Sequence, residues 1–139
     1  MTNFLIRDYA ESDYPFVKSS WIKNQVNSMP FKMMKHSTYF ETYSPMLDKR
    51  IKEVTIKIAC NKQDEDQTFA YIAFEKDVLH FIYTKGLYRN FNMGRELLIE
   101  SFKNGVLTYY THLSDDKSFR GITKKYKMVY NPFLFWNDK

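Results

Sequence analysis

Between Val78 and Leu98 a strand-like run feeds a basic loop, and the loop feeds a helix. Val78 to Thr84 is apolar, β-branched and aromatic, the composition of a half-buried strand. Met93 to Lys103 carries the apolar spacing of an amphipathic helix and stops at Asn104-Gly105, a good C-terminal cap. Val106 to His112 then reads as another strand. Strand, helix and strand in this succession form a crossover, so the two strands are expected to lie parallel. That unit commits the chain to an α/β sheet. It also presents a helix N-terminus, opened by Asn92-Met93-Gly94, whose first N–H groups have no intrahelical partners. Arg89 and Arg95 flank that end. Such a site holds an anion such as a pyrophosphate. The plain alternative is a strand–loop–helix unit with no ligand and two arginines on a solvated turn.

The remaining pattern builds around this unit. Phe4 to Arg7 is a short strand, followed by helix-start signals with Ser12 or Asp8 as N-caps. Phe16, Val17, Ser20, Trp21 and Gln25 form an amphipathic stripe, and Ser28-Met29-Pro30 breaks it. Residues 31–36 form a basic, Met-rich loop. Thr38 to Lys52 reads as helix, with Phe40, Tyr43, Met46, Leu47 and Ile51 inward and Pro45 splitting it into two short pieces. Val54–Cys60, Thr68–Phe74 and Val78–Thr84 are joined by short charged turns, hence an antiparallel meander. A helix over about Asp116 to Tyr126 and one or two strands around Asn131-Pro132 close the chain. The element order is β-α-α-β-β-β-α-β-α-β(β).

Length and composition narrow the classes. A chain of 139 residues suits one domain over 1–139, long enough for a real core. With 12 Phe, 11 Tyr and 2 Trp it packs rather than stays disordered, and 4 Gly and 4 Pro are too few for a turn-dense sandwich. A lone Cys60 excludes an internal disulfide or a cysteine-rich zinc site, and no metal is expected. No apolar run approaches the roughly 18 to 20 residues of a membrane span. Met1-Thr2-Asn3-Phe4 lacks the features of a signal peptide, so a cytoplasmic protein is expected. The net charge of +5 favours anionic ligands. Its clusters at 32–35 and 49–52 read equally well as a solvated basic face.

Arg89-x-x-Asn92-x-Gly94 resembles the Arg/Gln-x-x-Gly-x-Gly/Ala acetyl-CoA loop of the GNAT superfamily of N-acetyltransferases. Ile82-Tyr83-Thr84 stands where that family has its fourth strand, Leu97-Leu98 where it has the apolar start of its third helix, and the element order matches over nearly the full length. The resemblance implies a GNAT acyl-CoA N-acyltransferase-like α/β fold. Its mixed central sheet would carry an antiparallel meander and a splayed parallel strand pair, flanked by helices. One departure is Asn92 at the first glycine position, where φ > 0 and close backbone approach are wanted. Asn is the next most tolerant residue for that conformation. The opening Ile6-Arg7-Asp8 with Ser20-Trp21, Thr111-His112-Leu113 and the closing Tyr130-Asn131-Pro132-Phe133 are similar to small GNAT-like proteins of tailed bacteriophages.

By this resemblance acetyl-CoA is the cofactor. Pantetheine would pair with main-chain groups of Ile82, Tyr83 and Thr84, and the pyrophosphate would rest on Asn90, Phe91, Asn92, Met93, Gly94 and Arg95, with Arg89 or Arg95 adding charge. Transfer needs an amine deprotonated and a thiolate protonated. His80, which period 2 places on the face of Ile82 and Thr84, is a candidate base, and so is His112, with Thr111 and Ser114 beside it. The bland reading makes each a packed, hydrogen-bonded histidine. Asp77 reads as a turn residue. Tyr126, or else Tyr130, would be the thiol acid, although residues 122–130 lack the family's Tyr and Gly-Phe pattern. The acceptor would be a small-molecule or protein amine, flanked by Met29, Phe31, Met33, Met34, Tyr39 and Phe40. The alternative is a non-catalytic GNAT-fold virion or host-interaction protein, with a phage or host partner. A strand at Phe133-Leu134-Phe135 could pair across a homodimer. No nucleic-acid reader motif is present, so nucleic acid is not the expected partner.

Overall fold

The computed structural model describes residues 3–89, 92–114 and 117–136. Strands β1 (Phe4–Asp8), β2 (Thr55–Asn61), β3 (Asp64–Glu75), β4 (Val78–Thr84), β5 (Tyr109–Tyr110) and β6 (Val129–Tyr130) form one sheet in chain order. Helices α1 (Tyr14–Gln25), α2 (His36–Glu53), α3 (Met93–Ser101), α4 (Lys117–Lys125) and the single turn α5 (Phe133–Trp136) cover it. β1 to β4 pair antiparallel, whereas β4–β5 and β5–β6 pair parallel. The meander and the parallel crossover therefore stand as the sequence reads them. Among the described residues no helix is long and apolar enough to cross a membrane.

Each face of the sheet has its own core. On the α1/α2 face, Val17, Trp21, Tyr39, Tyr43 and Leu47 pack against Ile58, Tyr71 and Phe81, with Phe135 of α5 closing the layer. Trp21 stacks on Phe81 at 5.0 Å between ring centroids. On the α3/α4 face, Met93, Leu97, Leu98 and Phe119 pack against Ala70, Ile72 and Leu79. Burying side chains of this size contributes roughly 1.5–3 kcal/mol apiece, so both faces are anchored.

Several local readings change. Neither Ser12 nor Asp8 caps α1. Asp13 stands there instead, its carboxylate taking Arg7 at 2.7 and 2.8 Å and the Ala10 N–H at 2.8 Å. Pro45 does not split α2, because it lies on the exposed side, where water can serve the carbonyl that lacks its N–H. Tyr39, not Phe40, takes the inward position. β5 spans only Tyr109–Tyr110, and Phe133–Trp136 is helical, so it offers no strand for pairing across a dimer.

The largest change is at His80. In the β3–β4 ladder Phe74 opposes Leu79 and Ala73 opposes Phe81, which leaves His80 as an extra residue on β4. This bulge reverses the alternation of the strand. His80 therefore joins the Phe81 and Tyr83 face, opposite to Ile82, which packs toward α3.

Candidate active site

A cavity of ≈ 310 Å³ opens between the end of β4, the N-terminus of α3 and one face of α4. Its walls are Thr84, Arg89, Asn92, Gly94, Arg95, Leu98, Gly121, Ile122, Lys125 and Tyr126. Asn92 caps α3 in the left-handed region, at φ 61° and ψ 19°. The conformation that glycine would supply is thus reached by asparagine. A Cβ at Gly94 would meet Ile82 Cδ1 at 3.7 Å and Thr84 Oγ1 at 3.9 Å, ordinary contacts on the cavity wall. Arg89 and Arg95 are exposed, and Arg89 Nε donates to the Thr84 carbonyl at 3.3 Å. Lys125 completes a ring of three cations around the helix end, its Nζ 5.5 Å from the Tyr126 ring centroid. Cations and unpaired helix N–H groups together favour a polyanion.

Other expected contacts sit elsewhere. Met93 is a buried core residue, and Asn90 and Phe91 lie outside the described residues. Lys85 N–H bonds the Phe69 carbonyl at 2.9 Å. By strand alternation Tyr83 therefore directs its main chain to β3, while Ile82 and Thr84 direct theirs away from it. On that open side the pairing with β5 is short: Val78 opposes Tyr109 and Leu79 opposes Tyr110. Thr111 N–H still bonds the Leu79 carbonyl at 3.1 Å, and beyond it the described chain leaves β4. The bulge and the splay fall at the same level.

His80 and His112 lie on the other face, at the splay, and both are buried. Glu75 Oε1 is 3.0 Å from His80 Nε2, and Thr111 Oγ1 lies 2.9 Å from His80 Nδ1 and 2.8 Å from His112 Nδ1. Tyr43 Oη is 2.6 Å from His112 Nε2 and accepts from Trp21 Nε1 at 3.0 Å. A carboxylate only accepts, so His80 Nε2 donates to Glu75 and its Nδ1 accepts from Thr111. Thr111 then accepts from His112 Nδ1–H, and His112 Nε2 accepts from Tyr43. Every bond points toward Glu75, and both rings are neutral. Burial and the nearby Arg50 charge lower the His80 pKa to about 3. Burial, then His80, lowers that of His112 well below its ordinary value. Arg50 Nη1 stands 3.9 Å from Glu75 Oε1, and Arg50 Nε donates to the Phe135 carbonyl at 2.5 Å.

A second cavity, ≈ 160 Å³, lies against this network. Its walls are Met29, Pro30, Phe31, Thr111, His112, Tyr130, Pro132, Phe133 and Trp136. Tyr126 and Tyr130 are thereby separated, one in each cavity. Burial, then Tyr110, raises the Tyr130 pKa. Asp77 is the turn residue expected, its carbonyl accepting from Thr108 and Tyr109. Sequence reasoning missed Lys125, Glu75 and Tyr43. The i, i+4 spacing of Gly121 and Lys125 was a usable signal for one shared helix face. Glu75 meets His80 only because the β4 bulge turns that ring to its side, five residues on across the β3–β4 turn, and Arg50 reaches it from α2.

No protein-family model and no curated protein sequence matches the chain. Solved structures do. The apo form of YjaB from Escherichia coli matches with TM-score 0.65 at 15% identity, over 90% of this chain and 82% of that one. A candidate acetyl transferase from Pyrococcus furiosus matches with TM-score 0.64 at 13% identity, over 88% and 91%. An N-acetyltransferase from Staphylococcus aureus Mu50 gives 0.55 at 12% identity, over 91% and 83%. The chain has the GNAT acyl-CoA N-acyltransferase fold. Identities this low establish the architecture, and the chemistry has to be argued from the site itself.

Proposed function

We propose that this protein is an N-acetyltransferase that uses acetyl-CoA and a primary amine. The observation that carries the reading is the cationic cavity at the α3 N-terminus, open beside main-chain groups of β4 that β3 does not use. Arg89, Arg95 and Lys125 hold the phosphates, and the α3 N–H groups from Met93 onward receive the pyrophosphate. Ile82 offers the pantetheine arm its main-chain groups and Thr84 its N–H, the Thr84 carbonyl being held by Arg89 Nε. When bound, acetyl-CoA supplies an acyl group activated as a thioester.

On the opposite face, Thr111 Oγ1 takes a proton from the acceptor amine and passes its own to His80 Nδ1. His80 releases its Nε2 proton to Glu75. The relay needs no charged histidine, which suits two buried neutral rings. Tyr130, which shares the second cavity with Thr111, protonates the departing sulfur in place of Tyr126, whose ring packs on Phe102 just beyond α3. The acyl carbon passes from sulfur to nitrogen, the nitrogen loses one proton and the sulfur gains one. His112 holds Thr111 in register and serves as a positioning residue.

Calorimetry with acetyl-CoA tests this. Roughly micromolar binding is expected. It should weaken by about tenfold or more in Arg89→Ala and in Gly94→Asp, because each removes or opposes a charge-assisted contact. Absence of binding up to millimolar concentration overturns the enzyme reading. It would favour the second reading, a non-catalytic GNAT-fold virion or host-interaction protein of phage origin. Exposed Phe133 and Val129 near the C-terminal end support that reading as an interface.

A further inference from the structure

The cavity at the splay has a chemistry of its own. It is small, ≈ 160 Å³, and bounded on one side by Thr111 and His112 of the hydrogen-bonded chain. Phe31, Tyr130 and Trp136 supply aromatic walls, and Met29 and Phe133 extend outward from it as exposed apolar residues. Among the described residues no lysine, arginine, aspartate or glutamate lines it. The contrast with the α3/α4 cavity, ringed by three cations, is complete.

Size and lining restrict the occupant. An apolar cavity of about 150 Å³ holds one benzene ring. A polyamine or an amino sugar would bring several charges or hydroxyls to walls that cannot pair them, and unpaired polar groups in such a place are costly. An acidic peptide would meet no cation. A single aromatic ring carrying one amine fits: the ring sits among aromatic faces, which also tolerate a nearby cation. The amine then falls at the one polar wall, where Thr111 begins the relay toward Glu75.

We propose that this cavity is the acceptor subsite and that the acceptor is a small arylalkyl primary amine. The inference rests on the acetyltransferase reading, but its occupant can be tested without acetyl-CoA. 2-Phenylethylamine and spermidine are titrated separately into the protein, followed by calorimetry and by the fluorescence of Trp136, with Trp136→Phe as the control for that signal. 2-Phenylethylamine is expected to bind about tenfold or more tightly than spermidine. Phe133→Lys should weaken it by about tenfold. Phe133 is largely exposed, so that variant keeps its fold, which a thermal melt verifies. Equal or tighter binding of spermidine overturns the inference, and so does wild-type affinity in Phe133→Lys. Intact acetyl-CoA binding with no 2-phenylethylamine binding removes the subsite and leaves the proposed function. Loss of acetyl-CoA binding with 2-phenylethylamine still bound removes the proposed function and leaves the aromatic-amine cavity.

Discussion

The two halves of the sheet spend their backbone differently. From β1 to β4 the ladders run long: Phe4–Asp8 along β2, and Thr55–Asn61 along β3. Main-chain groups there are consumed by neighbouring strands. From β4 to β6 the ladders are short, and β4 runs on to Thr84 after β5 has left it at Tyr110. Main-chain groups there remain on offer. Stability is therefore concentrated in the meander and its aromatic face, and main-chain groups without a strand partner lie where pairing stops. Loops and strand ends positioned by a rigid scaffold are where binding residues generally collect.

Trp21→Ala attacks the stable half. Trp21 is fully buried, stacked on Phe81 and bonded to Tyr43. A loss of about 3–5 kcal/mol is expected in urea unfolding. A loss under about 1 kcal/mol would mean that the aromatic face is not the anchor described.

Thr111→Val sits where the halves meet. It keeps shape but leaves two ring nitrogens without their shared partner. We expect about 1–3 kcal/mol of destabilisation and, with an accepted amine, a kcat about a hundredfold lower. A merely structural role would leave kcat of the folded fraction unchanged.

Acid should separate the halves next. Unfolded, both histidines titrate near 6.5, while folded His80 titrates at about 3 and His112 far below its ordinary value. Between those limits the unfolded chain binds more protons, so stability falls as pH drops. The contribution is complete above about pH 6.5 and is lost progressively toward pH 3. Urea midpoints across this range should show the slope, and His80→Gln should flatten it. An unchanged slope in His80→Gln would place the acid sensitivity elsewhere.

Arg95→Glu probes the open half alone. Acetyl-CoA affinity should fall about tenfold or more, with stability within about 0.5 kcal/mol of wild type because Arg95 is exposed. A large drop in melting temperature would show that this arginine holds the fold rather than the ligand. The smallest effect is expected for Asn92→Gly. Relief of the left-handed asparagine should stabilise by at most about 1 kcal/mol, and chemical denaturation would detect a change of the opposite sign.

Much of the fold was legible because it depends on local pattern. The alternation that opens Val54–Cys60, the stripe through Val17, Trp21 and Gln25, and the turns at Lys76 and Gly105 are each written in short segments. The cationic lining of the α3/α4 cavity was legible for the same reason: Arg89, Asn92, Gly94 and Arg95 are close in sequence and stay close in space. The polar chain was not. Trp21, Tyr43, Glu75, His80, Thr111 and His112 come from α1, α2, β3, β4 and the segment after β5.

The sequence by itself determined the order of elements, the parallel crossover and the cationic helix end, since periodicity, turn chemistry and charge act over a few residues. Tertiary structure alone decided that β4 bulges at His80 and that Pro45 rides inside an unbroken helix. It alone joined two histidines through one threonine to a glutamate. Those outcomes depend on which neighbour fills each space and which donor reaches each buried acceptor, and such contacts exist only once distant segments have packed.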